Sequence, residues 1–140
     1  TEGRRQAEIE HVARHADRAL RRDEDVVLYT TRRLVTVDAV EDDERNLSVG
    51  QSISAGLVAI VRRISHRPRY LLSKGGITSH DVATKALDVK RAWVPGQILP
   101  GVPLWQLGGA SRYPGLTYIV FPGNVGSPDA LIRVIRLLEV

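Results

Sequence analysis

The sequence predicts an α/β fold with a mostly parallel sheet flanked by helices. Short runs of β-branched and aromatic residues alternate along the chain with longer stretches whose apolar residues recur at helical spacing. Two of the short runs end in glycines that lead directly into a helix start. Proline and glycine are dense around residues 95–107, so we expect irregular β segments there, at an edge of the sheet. With 140 residues, the chain can bury the core of one domain.

The composition is typical of a soluble globular protein, with 43% hydrophobic and 26% charged residues. The absence of cysteine excludes disulfides and thiolate metal ligands and fits a cytoplasmic protein. No apolar run approaches the roughly 20 residues of a membrane span, so we expect no membrane partner. The net charge of +4 comes from arginine pairs that mostly have acidic neighbours and few aromatic residues between them. This pattern is typical of solvated helix surfaces and predicts no nucleic-acid partner.

The N-terminal half of the chain predicts a helix, a strand and a second helix. Apolar residues at helical spacing extend over residues 2–22. The run at residues 26–29 is short, apolar and β-branched, so it predicts a buried strand. Asn46 or Ser48 can then cap a long helix that ends near Ser65.

A strand that runs into paired glycines is the first functional signal in the sequence. An apolar run that predicts a short buried strand is followed by Lys74 and by the glycines Gly75 and Gly76. Thr78 and Ser79 then lie at the start of a helix, where backbone N–H groups and the helix dipole favour negative charge. Since Lys74 adds a full positive charge, the stretch predicts a phosphate-binding turn.

The C-terminal region is built in the same way. Residues 117–121 predict a strand that leads into Gly123, Asn124 and Gly126, and residues 127–129 have the composition of a helix start. If both strands belong to one parallel sheet, the two turns open at the same edge, where a polyphosphate fits between them. Neither turn has the spacing of a P-loop or of the dinucleotide-binding fingerprint.

Side chains for catalysis or metal binding are scarce in the sequence. Ser79, His80 and Asp81 are adjacent, and adjacent side chains on a helix diverge, so they do not form a triad with one another. His11 and His15 have the i, i+4 spacing of a metal-chelating pair, but no third ligand accompanies them. We therefore predict surface histidines, no metal site and no identifiable catalytic residue.

Several stretches, in this order, resemble the C-terminal nucleotide-binding domain of the four-carbon acid sugar kinase family. They are residues 27–32, 74–79, 96–103, 121–126 and 129–131. The resemblance covers the chain from about residue 24 onward. It implies that residues 1–140 are a single domain, most of the nucleotide-binding domain of a two-domain kinase whose N-terminal sugar-acid domain is absent from this sequence.

The resemblance also implies a two-walled site for ATP, with Mg²⁺ as the accompanying cation. Matched by motif, the nucleotide-binding residues are Gly75, Gly76, Ile77, Thr78, Ser79, Gly123, Asn124 and Gly126. Many family members carry an acidic residue where this chain has Ile77. If that acid holds magnesium in the family, this chain lacks the ligand at position 77, unless Asp81 substitutes for it.

As implied by the resemblance, the expected function is that of a transferase in carbohydrate metabolism. ATP would give its γ-phosphate to a hydroxyl of a four-carbon sugar acid of the threonate, erythronate or 3-oxo-tetronate type. The catalytic residues would lie in the absent domain, so the chain alone would be inactive, and it could form a homo-oligomer. The residues by themselves leave two alternatives open: a non-catalytic α/β domain that binds a small anion or phosphate, and a structural module whose glycine turns are only steric.

Overall fold

A computed structural model describes residues 1–30, 43–124 and 126–139 of the chain. These residues form two compact units, Thr1–His66 and Arg67–Val140. Helices make up the regular structure of the first unit, and the second unit holds a sheet with its own helices. In the part of the chain that the structure describes, none of the helices combines the length and the apolar character of a membrane span.

Among the described residues, the first unit contains helix α1, Glu2–Arg21, and helix α2, Asp43–Arg63. The Thr1 hydroxyl caps α1 by accepting a hydrogen bond from the Arg4 N–H at 3.3 Å. The predicted helix over residues 2–22 is thus confirmed. The second predicted helix is also present, but it begins before Asn46 and ends before Ser65. The buried apolar side chains of this unit are Ile9, Ala13, Ala16, Val58, Val61 and Ile64.

Residues 24–30, which follow α1, are neither helix nor strand. The side chains of Val27 and Tyr29 are 70% and 81% exposed, so the prediction of a buried strand at 26–29 is wrong. A β-branched run becomes a strand only where another strand accepts its backbone hydrogen bonds, and none of the described strands pairs with it. Residues 31 and 32, the end of the upstream motif, lie outside the described residues.

A carboxylate on α1 fixes the chain segment that follows α2. Asp17 accepts hydrogen bonds from the Ser65 N–H at 3.0 Å, the Ser65 hydroxyl at 2.7 Å and the His66 N–H at 2.9 Å. Burial raises the pKa of the Asp17 carboxyl, but the bonds from His66 and Ser65 and the charge of Arg21 outweigh burial and bring the pKa below its ordinary value of 3.8.

The second unit is built on a four-stranded mixed sheet in the order β1-β4-β3-β2. The strands are β1 Tyr70–Lys74, β2 Ala92–Leu99, β3 Val102–Leu107 and β4 Thr117–Phe121. Strand β1 pairs with β4 in parallel, whereas β4 with β3 and β3 with β2 are antiparallel. The α/β class is confirmed, but the sheet is not mostly parallel.

The length of the connections explains the direction of the strands. Strands β2 and β3 are joined by Pro100 and Gly101 alone, with Gly101 at φ +81°. Such a turn permits only antiparallel neighbours, since a parallel pair needs a crossover of a dozen or more residues. The register of β2 shifts between Trp93 and Gly96 and again between Gln97 and Leu99, so the irregular β structure predicted at this edge is confirmed.

Three helical segments complete the second unit. Helix α3, Gly76–Asp81, continues into a π-helical turn, Val82–Ala86, and helix α4, Ala130–Leu138, follows the second glycine turn. Helix α3 begins three residues earlier than its predicted start at Ser79. One core cluster joins α4 to β3 and β4; its buried members are Val102, Ile119, Phe121, Ala130 and Val134.

Replacing Asp17 by Asn tests the fixation of the segment after α2. We expect the free energy of unfolding at pH 7 to fall by about 1–2 kcal/mol, because charge-assisted bonds to the Ser65 and His66 N–H groups are lost. Since the folded pKa of Asp17 lies below the unfolded pKa, its stabilisation is complete above the unfolded value and is lost as pH falls through the folded one. The difference between the two proteins should therefore shrink on acidification.

Urea denaturation at pH 7 and pH 3 measures this difference. Glu10→Gln, an exposed substitution on the same helix, is the control and should leave the unfolding free energy almost unchanged at both values of pH. An Asp17→Asn penalty that is as large at pH 3 as at pH 7 would contradict the account.

Candidate functional site

The two glycine turns meet at one edge of the sheet. In the parallel pair of β1 and β4, Lys74 lies opposite Phe121, so both strands end at the same level. The Gly75 N–H donates a hydrogen bond to the Phe121 carbonyl at 2.8 Å. A Cβ atom added at Gly123 would lie 3.9 Å from the Gly75 Cα. The first turn, residues 74–79, therefore contacts the second turn, residues 121–126, as a parallel arrangement requires.

Glycine occurs at the positions of the two turns for different structural reasons. Gly75 at φ +100° and Gly126 at φ +95° adopt backbone conformations that other residues rarely tolerate. A Cβ atom at Gly126 would also approach the Ala130 Cβ to 2.7 Å. At Gly76, by contrast, an added Cβ would meet open space, whereas at Gly123 it would be in van der Waals contact with the Gly75 Cα, 3.9 Å away. The backbone at Gly76 can therefore be approached closely by a ligand, and Gly123 packs against the first turn.

Lys74 links the two turns and gives the site a positive charge. Its ammonium group donates a hydrogen bond to the Gly123 carbonyl at 3.0 Å and lies 5.7 Å from the centre of the Phe121 ring. After the second turn, the Ser127 hydroxyl donates a hydrogen bond to the Asp129 carboxylate just before α4. That bond is the main cause of the lowered pKa of Asp129. Lys74 thus adds a positive charge at the turns, whereas Asp129 adds a negative charge at the start of α4.

A buried hydroxyl network lies beneath the first turn. The Ser79 hydroxyl donates a hydrogen bond to the Ser73 carbonyl at 3.1 Å. The Tyr118 hydroxyl lies 2.7 Å from the Ser79 carbonyl oxygen and 3.0 Å from the Ser73 hydroxyl. Burial raises the pKa of Tyr118 to about 12, despite the bonds to both serines, so its hydroxyl is a neutral donor at physiological pH.

The structure places the residues predicted for the nucleotide site at several depths. Gly75 and Gly123 are in contact, whereas Asn124 and Gly126 lie further along the second turn and are exposed. The side chain of Ile77 is 74% exposed, and that of Thr78 is half-buried. Ser79 is only 2% exposed, and its hydroxyl is directed to Ser73 and not to the space between the turns.

Two neighbours of these residues were not identified from sequence. Tyr118 and Ser73 belong to β4 and β1; the Tyr118 hydroxyl and the Ser73 carbonyl each contact Ser79 of the first turn. The available signal was a hydroxyl-bearing side chain within an apolar strand that leads into a glycine turn. That signal is weak, because tyrosine is a common strand residue.

Asp81, the substitute suggested for an acid at position 77, lies 3.4 Å from the ammonium of Lys85. His15 contacts Arg18 at 3.3 Å. Within residues 1–30, 43–124 and 126–139, no group of three or more His, Cys, Asp or Glu side chains could hold a metal ion.

A separate depression of about 420 Å³ lies at the opposite end of the sheet. It is lined by the N-terminal part of β2 and the C-terminal part of β3, including Arg91, Trp93 and Gln106, with Gly108 and Gly115 at its rim. Gln106 pairs with Thr117, the first residue of β4, whereas the glycine turns follow the last residue of that strand. None of the residues predicted for the nucleotide site lines this depression.

Residues 1–131 match the family of nucleotide-binding C-terminal domains. This match confirms the resemblance to the C-terminal nucleotide-binding domain of the four-carbon acid sugar kinase family, and it extends further towards the N-terminus than the sequence motifs did. No curated protein matches the chain.

Solved structures with a similar fold are longer proteins. One, from Salmonella typhimurium LT2 and provisionally described as a tRNA synthase, has a TM-score of 0.70 and 20% identity over 98% of this chain and 32% of that one. Another is a domain of unknown function from Bordetella bronchiseptica, a domain-swapped dimer with bound citrate. Its TM-score is 0.54 with 18% identity, over 92% of this chain and 37% of that one. These likenesses establish the fold, and this chain spans about a third of each protein's length.

Because the glycines differ in backbone conformation and in the space around them, replacing them by alanine should change the free energy of unfolding by different amounts. Gly126→Ala should lower the free energy of unfolding by about 2 kcal/mol or more, because the new Cβ meets Ala130 and the backbone conformation is strained. Gly76→Ala should be neutral or slightly stabilising, since its Cβ meets open space at a helix start. Thermal unfolding of the two variants measures the difference, and equal melting temperatures would contradict the assignment.

Proposed function

The chain belongs to the family of nucleotide-binding C-terminal domains, and we propose that it is the ATP-binding part of a sugar-acid kinase. In this proposal residues 1–140 form most of the nucleotide domain of a cytoplasmic two-domain enzyme. The enzyme transfers the γ-phosphate of ATP to a hydroxyl of a four-carbon sugar acid. The observation that carries the proposal is the contact between the two glycine turns, with open backbone at Gly76 and with the Lys74 ammonium bonded to the Gly123 carbonyl.

The backbone of the first turn is suited to phosphate. The Ser79 N–H bonds the Gly75 carbonyl at 2.9 Å as the first bond of the α3 turn. The preceding N–H groups, at residues 76–78, come before that bond and therefore have no partner within the helix. Together with the Lys74 charge they offer donors to phosphate oxygens. Ser79 supports the turn from below, while Gly123 and Asn124 bound the other side.

Phosphoryl transfer depends on positioning and charge neutralisation more than on covalent chemistry. In the proposed enzyme this chain holds the triphosphate, and magnesium, when bound with ATP, neutralises charge on the phosphates. Ile77 offers no ligand to that ion, so its protein contacts would come from elsewhere. The residue that orients the acceptor hydroxyl is assigned to the N-terminal sugar-acid domain. The isolated chain is then expected to bind ATP without phosphorylating a sugar acid.

A second candidate function is the binding of a small anion without a nucleotide. The bound citrate of the Bordetella protein favours it, because that ligand is a compact carboxylate. Lysine and backbone donors would bind such a ligand as well as they bind a phosphate.

We also propose that the chain forms a homo-oligomer. The domain-swapped dimer of the same Bordetella protein supports this proposal.

Titration calorimetry with ATP, with and without Mg²⁺, separates these functions. We expect ATP to bind the unmodified chain and to lose affinity by about tenfold or more in Gly76→Ala and Gly123→Ala, because each methyl group occupies space that a phosphate would fill. Gly109→Ala is the matched control: its Cβ also meets open space, but it lies at the opposite end of the sheet.

Citrate and inorganic phosphate are titrated in the same way. Equal or tighter binding of citrate, with no preference for ATP, would favour the small-anion function. If none of these anions binds, both proposed functions are contradicted. The glycine turns would then have a purely structural role. Phosphorylation of threonate by the chain alone would contradict the assignment of the acceptor site to another domain.

The charge of Lys74 gives an independent prediction. Lys74→Met keeps an unbranched apolar stem but removes the ammonium group, so ATP affinity should fall by about tenfold. The salt dependence of ATP binding should weaken as well, because one cationic partner is lost. Calorimetry at two ionic strengths measures both effects. An unchanged affinity and salt dependence would show that Lys74 does not face the ligand.

A further inference from the structure

We propose that Tyr118 is the positioning residue of the nucleotide site, and that its buried hydroxyl fixes the backbone of the first glycine turn. This inference rests on the proposed nucleotide binding, because it concerns how the same site is held in shape. Tyr118 itself is fully buried in β4, so it does not touch a ligand.

The ring of Tyr118 is fixed by its neighbours in the sheet. Tyr118 lies opposite Leu71 of β1 on one side and Trp105 of β3 on the other. The Trp105 and Tyr118 ring centres are 5.8 Å apart. The hydroxyl of this buried ring lies at the junction of β1 and α3, within hydrogen-bond distance of Ser73 and Ser79.

The hydroxyl protons of the network can be assigned from the acceptors. The Ser79 carbonyl only accepts, so the single proton of Tyr118 is directed to it at 2.7 Å. The Ser73 hydroxyl, 3.0 Å away, can then donate its own proton to the Tyr118 oxygen. The Ser79 hydroxyl donates to the Ser73 carbonyl. Each of the three hydroxyls of this network thus donates one hydrogen bond. No buried side-chain oxygen or nitrogen of the described residues lacks a partner.

These bonds hold the C-terminal end of the first turn. Gly75 has an unusual backbone conformation and no side chain to restrict it. At one end of the turn, the Gly75 N–H is bonded to Phe121. At the other end, Ser79 is held by Tyr118 and Ser73. The open backbone of residues 76–78 lies between the two anchors, so the Tyr118 hydroxyl determines the direction of the groups proposed to contact phosphate.

The hydroxyl is not needed to build the strand. An apolar residue at position 118 would satisfy the same β pairing, and burying a phenol hydroxyl is unfavourable unless it is hydrogen-bonded. The neighbouring core residue Ile119 packs in β4 without any polar group. A buried donor whose pKa is raised to about 12 also stays protonated throughout the physiological range, so its bond to Ser79 persists.

Tyr118→Phe tests this inference, with Ile119→Val as the matched control. Both changes remove a small group from a fully buried side chain of β4, but only the first breaks the bond to Ser79. We expect Tyr118→Phe to lose about tenfold in affinity for ATP and for inorganic tripolyphosphate. Ile119→Val should lose thermal stability to a similar extent and keep the affinity. Ser73→Ala, which removes the second partner of Tyr118, should lose less affinity than Tyr118→Phe.

Amide hydrogen exchange of the ligand-free protein tests the positioning without any nucleotide. Exchange of the Ser79 amide, whose N–H is bonded to the Gly75 carbonyl, should be faster in Tyr118→Phe than in Ile119→Val, and Ser73→Ala provides the same test if Tyr118→Phe does not fold. Equal exchange and equal affinities in Tyr118→Phe and Ile119→Val would overturn the positioning role. Failure of the unmodified protein to bind ATP or tripolyphosphate would overturn the proposed function instead, whatever the exchange rates.

Discussion

Parallel pairing of β1 with β4 is the constraint on which the candidate site depends. Their register places Lys74 opposite Phe121, so both strands end at the same edge of the sheet and a glycine turn follows each of them. The bond from the Gly75 N–H to the Phe121 carbonyl continues the ladder into the turns. If the two strands were antiparallel, the turns would lie at opposite ends of the sheet and no ligand could contact both. The other two strands form a hairpin, and because β3 runs antiparallel to β4, with Leu104 opposite Ile119, the hairpin turn at Pro100 and Gly101 lies at this same edge.

Some residues hold the backbone of the turns in place, and others leave it accessible to a ligand. Gly75 and Gly126 allow the backbone to take its path, whereas Gly76 leaves open space beside it and Gly123 packs against Gly75. Beneath the first turn, the buried hydroxyl of Tyr118 and the serines it contacts hold that path in place. A site made of backbone donors needs such support, because misdirected N–H groups cannot stabilise a phosphate. The turn is thereby held before a ligand arrives.

Sequence predicted the local features well and the distant ones poorly. The helix of α1 and the strand of β4 follow from periodicity and from residue type, which act over a few neighbours. Strand direction depends on the connection, so the turn at Pro100 and Gly101 made the sheet mixed. Residues 26–29 have strand composition but no described partner. The glycine turns follow from the local sequence, but the contact from Tyr118 to Ser79 spans 39 positions and has only a weak sequence signal.

The central claim is that one nucleotide phosphate chain contacts both glycine turns. Chemical-shift mapping of the isotope-labelled chain during an ATP titration tests this claim most directly, because it observes each backbone amide separately. The account predicts that the amides of residues 76–78 and of Gly123 and Asn124 shift together, with one shared affinity. Shifts confined to a single turn, or centred on the depression lined by Arg91 and Trp93, would contradict it.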